Sequence, residues 1–269
     1  MTGLFTNDKL VTDMGLVASE KSELWSKSLQ LAFDDWNKSE KFPVTTQEDL
    51  LKLVDLLSLA CEMDQAHGVR ITQSVRRIDI RTVYVSNAHA HALACMSRLA
   101  DGLDHLTLIV ADIRPLIISS LFHAKNKIKH VDLSFNLQLA LDGNCELSKV
   151  FLVQNLKSVN LRQSELTAEP IKCIAAALCR RVDEIEVLDL SGNPIGNYGI
   201  HPIFDCLHKI TGHLHLEKAR MDLNGGRQDL VVDFQMLQYK LNKLCFTSSE
   251  KLKVHIGFDL TKQPNCEDY

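Results

Sequence analysis

The chain has 269 residues, 45% of them hydrophobic, which is enough apolar content to bury a large continuous core. Its formal net charge is −4 at pH 7, and its longest basic runs are the pairs Arg76-Arg77 and Arg180-Arg181, so general nucleic-acid binding is not expected. No apolar run approaches the roughly 18 residues that a membrane-spanning helix needs, and the first residues lack the basic start, apolar stretch and cleavage site of a secretory leader.

Two helices are predicted in the N-terminal part of the chain. Residues 19–36 place leucines and a tryptophan along helical faces. Thr45 and Thr46 stand three residues before Glu48 and Asp49, and this capping-box arrangement opens a second helix with the sequence DLLKLVDLLSLACEMDQ. Because apolar residues cover more than one stripe of the second helix, we expect it to contact two surfaces at once.

Pairs of aliphatic residues separated by one position recur along the rest of the chain. They are Ile78/Ile80, Leu106/Leu108, Val131/Leu133, Val159/Leu161, Leu188/Leu190, Leu214/Leu216 and, more faintly, Val254/Ile256. The first members of successive pairs lie 28, 25, 28, 29, 26 and 40 residues apart. Between the pairs, residues 88–99, 115–124, 170–179 and 200–208 carry apolar residues at helical spacing. The pattern therefore predicts a repeated strand, turn and helix.

The best-formed copy is residues 185–196, which read IEVLDLSGNPIG. Its core is L-x-L-x-x-N, in which the leucines point into a core and Asn193 can satisfy backbone groups where the chain leaves the strand. Asn136 holds the same place in another copy. The remaining copies carry other residues there, namely Val83, Ala111, Ser164, Ala219 and Asp259. An irregular, short stack of repeats is therefore expected.

With these motifs the sequence resembles, from about residue 75 to residue 258, the ribonuclease-inhibitor-like class of leucine-rich repeat proteins. The resemblance implies an α/β fold: a right-handed β-α solenoid of about seven repeats, with a parallel sheet on the concave face and helices on the convex side. We expect residues 1–70 to form an N-terminal helical cap and residues 71–260 to form the solenoid, with a C-terminal capping helix at about 227–245. Residues 261–269 are expected to form a flexible tail.

A candidate binding surface follows from the alternation of side chains along each strand. If the aliphatic pairs point inward, their neighbours point to the concave face, and Ser134 and Ser191, which follow two of the pairs, are expected there too. The candidate residues are Arg77, Asp79, His105, Thr107, His130, Asp132, Asn160, Arg162, Asp189, His213, His215, Glu217 and His255. Such a polar row can simply keep a sheet hydrated, but exposed sheets of solenoids commonly bind a protein partner. If the histidines contact that partner, affinity should change between about pH 5.5 and 7.5.

No catalytic constellation is recognised. The sequence lacks G-x-S-x-G, the phosphate-binding G-x-x-x-x-G-K, H-E-x-x-H and C-x-x-C, so neither enzymatic activity nor a cofactor is expected. His213, His215 and Asp189 lack a further ligand at a fixed spacing, and a metal site is not predicted.

The cysteines indicate a reducing compartment. The eight cysteines show no even spacing, and Cys95, Cys173, Cys179 and Cys206 lie in apolar helical patterns where a free cysteine behaves as a small hydrophobic residue. A cytoplasmic protein is therefore expected.

The function predicted from the sequence is that of a non-enzymatic adaptor or scaffold that binds a protein through its concave face. Two alternatives remain open. One is a substrate receptor of a ubiquitin-ligase-type complex that docks through its N-terminal helices, where Leu57 and Cys61 match part of an adaptor-binding box. The other is a GTPase-activating-type regulator. We expect a monomer, or a dimer formed through the edge strand at the C-terminal end.

Overall fold

The fold combines a seven-stranded parallel sheet with helices. The structure is a computed structural model of the chain. It describes residues 31, 44–67, 75–99, 103–123, 126–143, 145–219 and 252–258. The predicted capping helix at 227–245 and the tail at 261–269 lie outside these residues, as does the predicted helix at 19–36 apart from Leu31.

The strands and helices alternate along most of the chain. The strands are β1 (Arg77–Arg81), β2 (His105–Ile109), β3 (His130–Asp132), β4 (Ser158–Asn160), β5 (Ile185–Asp189), β6 (Ile210–Ala219) and β7 (Lys253–Phe258). The α-helices are α1 (Gln47–His67), α2 (Asn87–Leu99), α3 (Pro115–Leu121), α4 (Ala168–Cys179) and α5 (Gly196–Asp205). Three 3₁₀ segments complete the described elements: η1 (Leu137–Gly143), η2 (Cys145–Leu152) and η3 (Leu207–Lys209).

The sheet follows the order of the sequence, β1-β2-β3-β4-β5-β6-β7, and all six pairings are parallel. Val44 forms a parallel bridge with Ile80. Its amide donates to the carbonyl of Asp79 and its carbonyl accepts from the amide of Arg81, both at 2.8 Å. The segment before α1 therefore satisfies backbone groups of β1 that do not pair with β2.

The hydrophobic core lies between the sheet and the helices. Both members of each aliphatic pair from β1 to β6 are at most 2% exposed, and they belong to one cluster with the buried residues of the helices. Ile117 and Ile118 of α3 and Ile171 and Ile174 of α4 are examples from the helical side of this cluster. The inward direction predicted for the pairs from β1 to β6 is thus confirmed. The alternating residues of the strands are partly exposed on the opposite side of the sheet.

The four helices predicted between the aliphatic pairs are present. Residues 88–99, 115–124, 170–179 and 200–208 overlap α2, α3, α4 and α5. Between β3 and β4 the chain forms the two short 3₁₀ segments instead of an α-helix. Helical elements that follow each other along the chain pack side by side, from α1 through α2, α3, η2 and α4 to α5.

Helix α1 begins with the predicted capping interaction. The hydroxyl of Thr46 accepts a hydrogen bond from the amide of Asp49 at 3.1 Å and donates one to its Oδ2 at 2.7 Å. Leu50, Leu53 and Leu57 of this helix are at most 1% exposed, whereas Leu51 is 48% exposed. Helix α1 packs against α2.

We call each strand, with the turn and the helical element that follow it, a unit. Two buried asparagines cross-link neighbouring units. Asn193 Oδ1 accepts hydrogen bonds from the amides of Ser164 and Leu166 at 2.9 and 3.1 Å, and its Nδ2 donates to the carbonyls of Leu161 and Leu190, both at 2.8 Å. This confirms the role predicted for its side chain.

Asn136 repeats the arrangement two strands earlier in the sheet, after β3. Its Oδ1 accepts from the amides of Ala111 and Ile113 at 2.9 and 3.2 Å, and its Nδ2 donates to the carbonyls of Leu108 and Leu133 at 2.6 and 2.8 Å. Each asparagine therefore satisfies four backbone groups in its own unit and the preceding one.

The cysteine assignment needs correction. Disulfides join Cys145 to Cys173 and Cys179 to Cys206, so three of the cysteines predicted to be free are paired. The two separations of 28 and 27 residues match the spacing of the aliphatic pairs, which brings cysteines from neighbouring helical elements together. This pairing counts against the reducing compartment predicted from the sequence. None of the helices in the described ranges is long and apolar enough to cross a membrane.

Candidate functional site

The candidate site is the polar face of the sheet, opposite the core. Two rows of residues run across all seven strands on this face, and the strand register pairs each member with the next. The first row is Arg77, His105, His130, Ser158, Val187, His213 and Lys253, and the second is Asp79, Thr107, Asp132, Asn160, Asp189, His215 and His255. Adjacent strands lie about 4.8 Å apart, so each row is contiguous. The predicted columns are therefore confirmed as neighbours in space.

The second row is acidic at its start and is held in place by an ion pair. Arg81 Nε and Nη2 lie 2.8 and 3.0 Å from Asp79 Oδ1 and Oδ2, a two-point contact. The hydrogen bond to Asp79, aided by the negative charges of Asp79 and Asp132, raises the pKa of Arg81 despite partial burial. Arg81 is an exposed cation at the end of β1, next to the predicted residues, and it belongs to the site as well.

Hydrogen bonds also fix the centre of the second row. Asp132 Oδ1 accepts from the amide and hydroxyl of Ser134 at 3.0 and 2.7 Å, while its Oδ2 accepts from Asn160 Nδ2 at 3.0 Å. Asn160 Oδ1 in turn accepts from the amide of Arg162 at 3.1 Å. These hydrogen bonds hold the side chains of Asp132 and Asn160 in one orientation.

Asp189 makes the same local contact as Asp132. Its Oδ1 accepts from the amide of Ser191 at 2.9 Å. Ser134 and Ser191, expected from the alternation to lie on the polar face, are each only 2% exposed. The expectation is wrong for these two residues, which are buried. The chain turns away from the sheet here and places each serine under the preceding aspartate.

Histidines of the first row form a stacked pair. The rings of His105 and His130 lie 4.4 Å apart at an interplanar angle of 12°. The pKa of His105 is lowered, first by partial burial and then by the charge of His130. Burial also dominates at His130 and lowers its pKa, although the negative charges of Glu186 and Asp104 oppose the shift. Both rings therefore favour the neutral form at neutral pH.

A second pair of rings lies at the other side of the described sheet. His213 and His215 are stacked within β6, with ring centroids 5.8 Å apart. Glu217 and His255 are located by their strand register only, opposite Gly257 and His215 respectively. All thirteen predicted residues thus lie in or directly beside the strands of one sheet.

Nothing in this arrangement points to metal chemistry. Within the described ranges, no group of three or more His, Cys, Asp or Glu side chains is placed to hold a metal ion. The face offers charged and hydrogen-bonding groups at fixed positions, a chemistry suited to recognition of another polar surface.

Comparison with known proteins does not assign the chain to a family. No protein-family model matches the sequence, and no curated protein matches it.

Proposed function

We propose that the chain is a leucine-rich repeat solenoid of the ribonuclease-inhibitor-like class, and that it is a non-enzymatic adaptor that binds a protein through its polar face. The observation that carries this proposal is the uninterrupted register of two rows, polar at every position except Val187, across seven parallel strands that follow the sequence order. A sheet built in this order from units that contact their sequence neighbours has the pattern expected of a repeat protein.

The asparagine contacts support the repeat class. Asn136 and Asn193 stand five residues after the first aliphatic residue of their units and each bonds two amides and two carbonyls. This is the role that the asparagine of L-x-L-x-x-N is expected to fulfil. Its repetition in two units argues against a chance match of a short motif.

The energetics of the polar face support binding as its use. Asp79, Asp132 and Asn160 are fixed by short contacts on the face that does not pack against the helices. The ion pair between Arg81 and Asp79 is partly exposed and contributes at most about 1 kcal/mol to stability. A preorganised polar surface that contributes so little to folding is better explained by recognition.

Helix α1 fits the role of a cap. Leu57 and Cys61, the residues that match an adaptor-binding box, are 0% and 5% exposed and face the core. A docking motif must be accessible, so their burial supports a cap on the first unit over a ligase-docking helix. None of the contacts in the described residues favours a GTPase-activating role.

Affinity capture with variants of the polar face tests the proposal. Partners captured by the full chain and identified by mass spectrometry should be lost, or bound at least tenfold more weakly, with Asp189→Lys or His215→Ala. Glu169→Lys is the matched control, because Glu169 lies on α4 and forms an exposed ion pair with Lys172. Retention of the same partners by both face variants would refute the use of this surface.

A further inference from the structure

One backbone position recurs with a left-handed conformation in five consecutive units. It lies four residues after the first aliphatic residue, directly after the polar face, and we call these residues the rim column: Thr82, Val110, Phe135, Gln163 and Gly192. Their φ angles lie between 49° and 72°. Amides of the first four donate to the carbonyls of Ile109, Ser134, Arg162 and Ser191 of the next unit, so the rim column continues the sheet ladder.

Four of the five residues in the rim column, all except Gly192, are of types that do not suit this conformation. Glycine adopts a positive φ freely, whereas a β-branched residue such as Val110 does so at a steric cost. Burial does not compensate, since Val110 and Phe135 are 47% and 42% exposed. The ladder hydrogen bonds hold the backbone in this conformation, and the exposed side chains of Val110 and Phe135 stay accessible to a partner.

Further exposed apolar residues extend the same edge. Tyr84 and Leu137 lie two residues beyond the rim column in the first and third units, and they are 51% and 59% exposed. Together with Val110 and Phe135 they form an apolar band along the ends of β1, β2 and β3. Single exposed apolar residues are ordinary, but several of them along one edge often mark a functional surface.

Two opposite charges lie beside this apolar band in the second unit. Asp112 follows Val110 by two residues, and Arg114 is the exposed residue that precedes α3. Neither side chain has a hydrogen-bond or ion-pair partner within the described part of the chain. A cation and an anion two residues apart are self-complementary, because a two-fold axis can place Asp112 of one copy against Arg114 of the other, and the reverse.

From these observations we propose that the apolar band is an interface between two copies of this chain. The two bands pack across a two-fold axis, and Asp112 and Arg114 form reciprocal ion pairs at the border. The four exposed side chains offer on the order of 400 Å² of apolar surface per copy. A standard interface covers about 800 Å² per partner, so the dimer is expected to be weak, with a dissociation constant in the micromolar range.

The first test measures mass against concentration. Light scattering or sedimentation of the full chain should give a mass that rises from the 30.3 kDa of one copy towards twice that value between low and several hundred micromolar. Val110→Gly and Phe135→Gly should each weaken self-association by about tenfold or more. Gln163→Gly, which changes the same backbone position outside the apolar band, should leave it unchanged.

Thermal unfolding of dilute samples separates an interface role from a structural one. Val110→Gly should unfold at an equal or higher temperature than the natural chain, since glycine relieves the strained φ. Loss of self-association together with unchanged or raised stability is the result expected for an interface. A lower unfolding temperature with unchanged association would assign Val110 a purely structural role and overturn the inference.

Charge exchange tests the two-fold geometry and does not depend on glycine. Arg114→Asp should weaken the dimer by placing four like charges at its border, and the double variant Asp112→Arg/Arg114→Asp should restore it. A mass that stays at one copy throughout the concentration range would refute the proposal. So would a dimer that all of these variants leave intact, as expected for pairing through β7.

Discussion

Replacing Asn193 by alanine should remove a large part of the stability of the chain. Asn193 is fully buried, and alanine would leave the amides of Ser164 and Leu166 and the carbonyls of Leu161 and Leu190 without this partner. Each intramolecular hydrogen bond contributes about 1 kcal/mol net, and each buried group left unpaired costs about 1–3 kcal/mol. We therefore expect a loss of about 4 kcal/mol, a large share of the 5–15 kcal/mol typical of a folded chain.

Urea unfolding followed by circular dichroism measures this loss as a shift in midpoint at constant slope. Asn160→Ala is the control, because Asn160 is an amide that bonds Asp132 and the backbone at a partly exposed position, and its loss should cost less than about 1 kcal/mol. Asn193→Asp adds a pH test. The buried aspartate would still accept from both amides but could donate to a carbonyl only when protonated, so acid should partly restore this variant relative to the natural chain. Equal stabilities for Asn193→Ala and Asn160→Ala would refute the reasoning.

Three further predictions concern other contacts. Cys173→Ser should lower stability by about 3.5 kcal/mol on the chain-entropy model, since the bond to Cys145 closes a loop with a sequence separation of 28 residues, and thermal unfolding of the variant beside the natural chain will show it. Reduction also breaks the bond between Cys179 and Cys206 and should therefore cost more than this variant. The lowered pKa values of His105 and His130 mean that the folded chain binds protons less readily than the unfolded chain. Stability should therefore be constant above pH about 6.5 and fall as the pH drops below that value. Urea unfolding from pH about 7.5 to 5.5 should show this fall, and the double variant His105→Gln/His130→Gln should reduce it. Arg181→Met should cost about 2–3 kcal/mol in urea unfolding because it leaves two carbonyls unpaired, whereas an unchanged midpoint would mean that water replaces the guanidinium.

The sheet could be predicted closely from the sequence, and the reason is geometric. Alternation fixes which face a strand residue occupies, and a constant spacing brings equivalent residues together. Asp79 opposite Thr107 and Thr107 opposite Asp132 therefore follow from counting alone. The counting becomes unreliable where the chain leaves the strand, as at Ser134, which was expected on the polar face and is buried under Asp132.

Cysteine pairing and backbone strain could not be read from the sequence. The bond between Cys179 and Cys206 requires knowledge of which helix positions of neighbouring units meet, and their apolar surroundings equally suited free thiols. The left-handed backbone of Val110 and Phe135 gave no local signal either, because the glycine expected at such a position appears only in the fifth unit, at Gly192. The other residues four places after the first aliphatic residue of each pair do not indicate a left-handed backbone. Only the glycine of the fifth unit does so.

Incompleteness of the asparagine pattern has a structural explanation. Asn136 of the third unit bonds the amides of the second unit, and Asn193 of the fifth unit bonds those of the fourth. In the second and fourth units the residue between the two bonded amides, Asp112 or Glu165, is also left-handed. One asparagine in every second unit is therefore enough for these pairs of units, because each serves its own turn and the preceding one. The copies without the asparagine therefore fit a backbone conformation at the turn that alternates from one unit to the next.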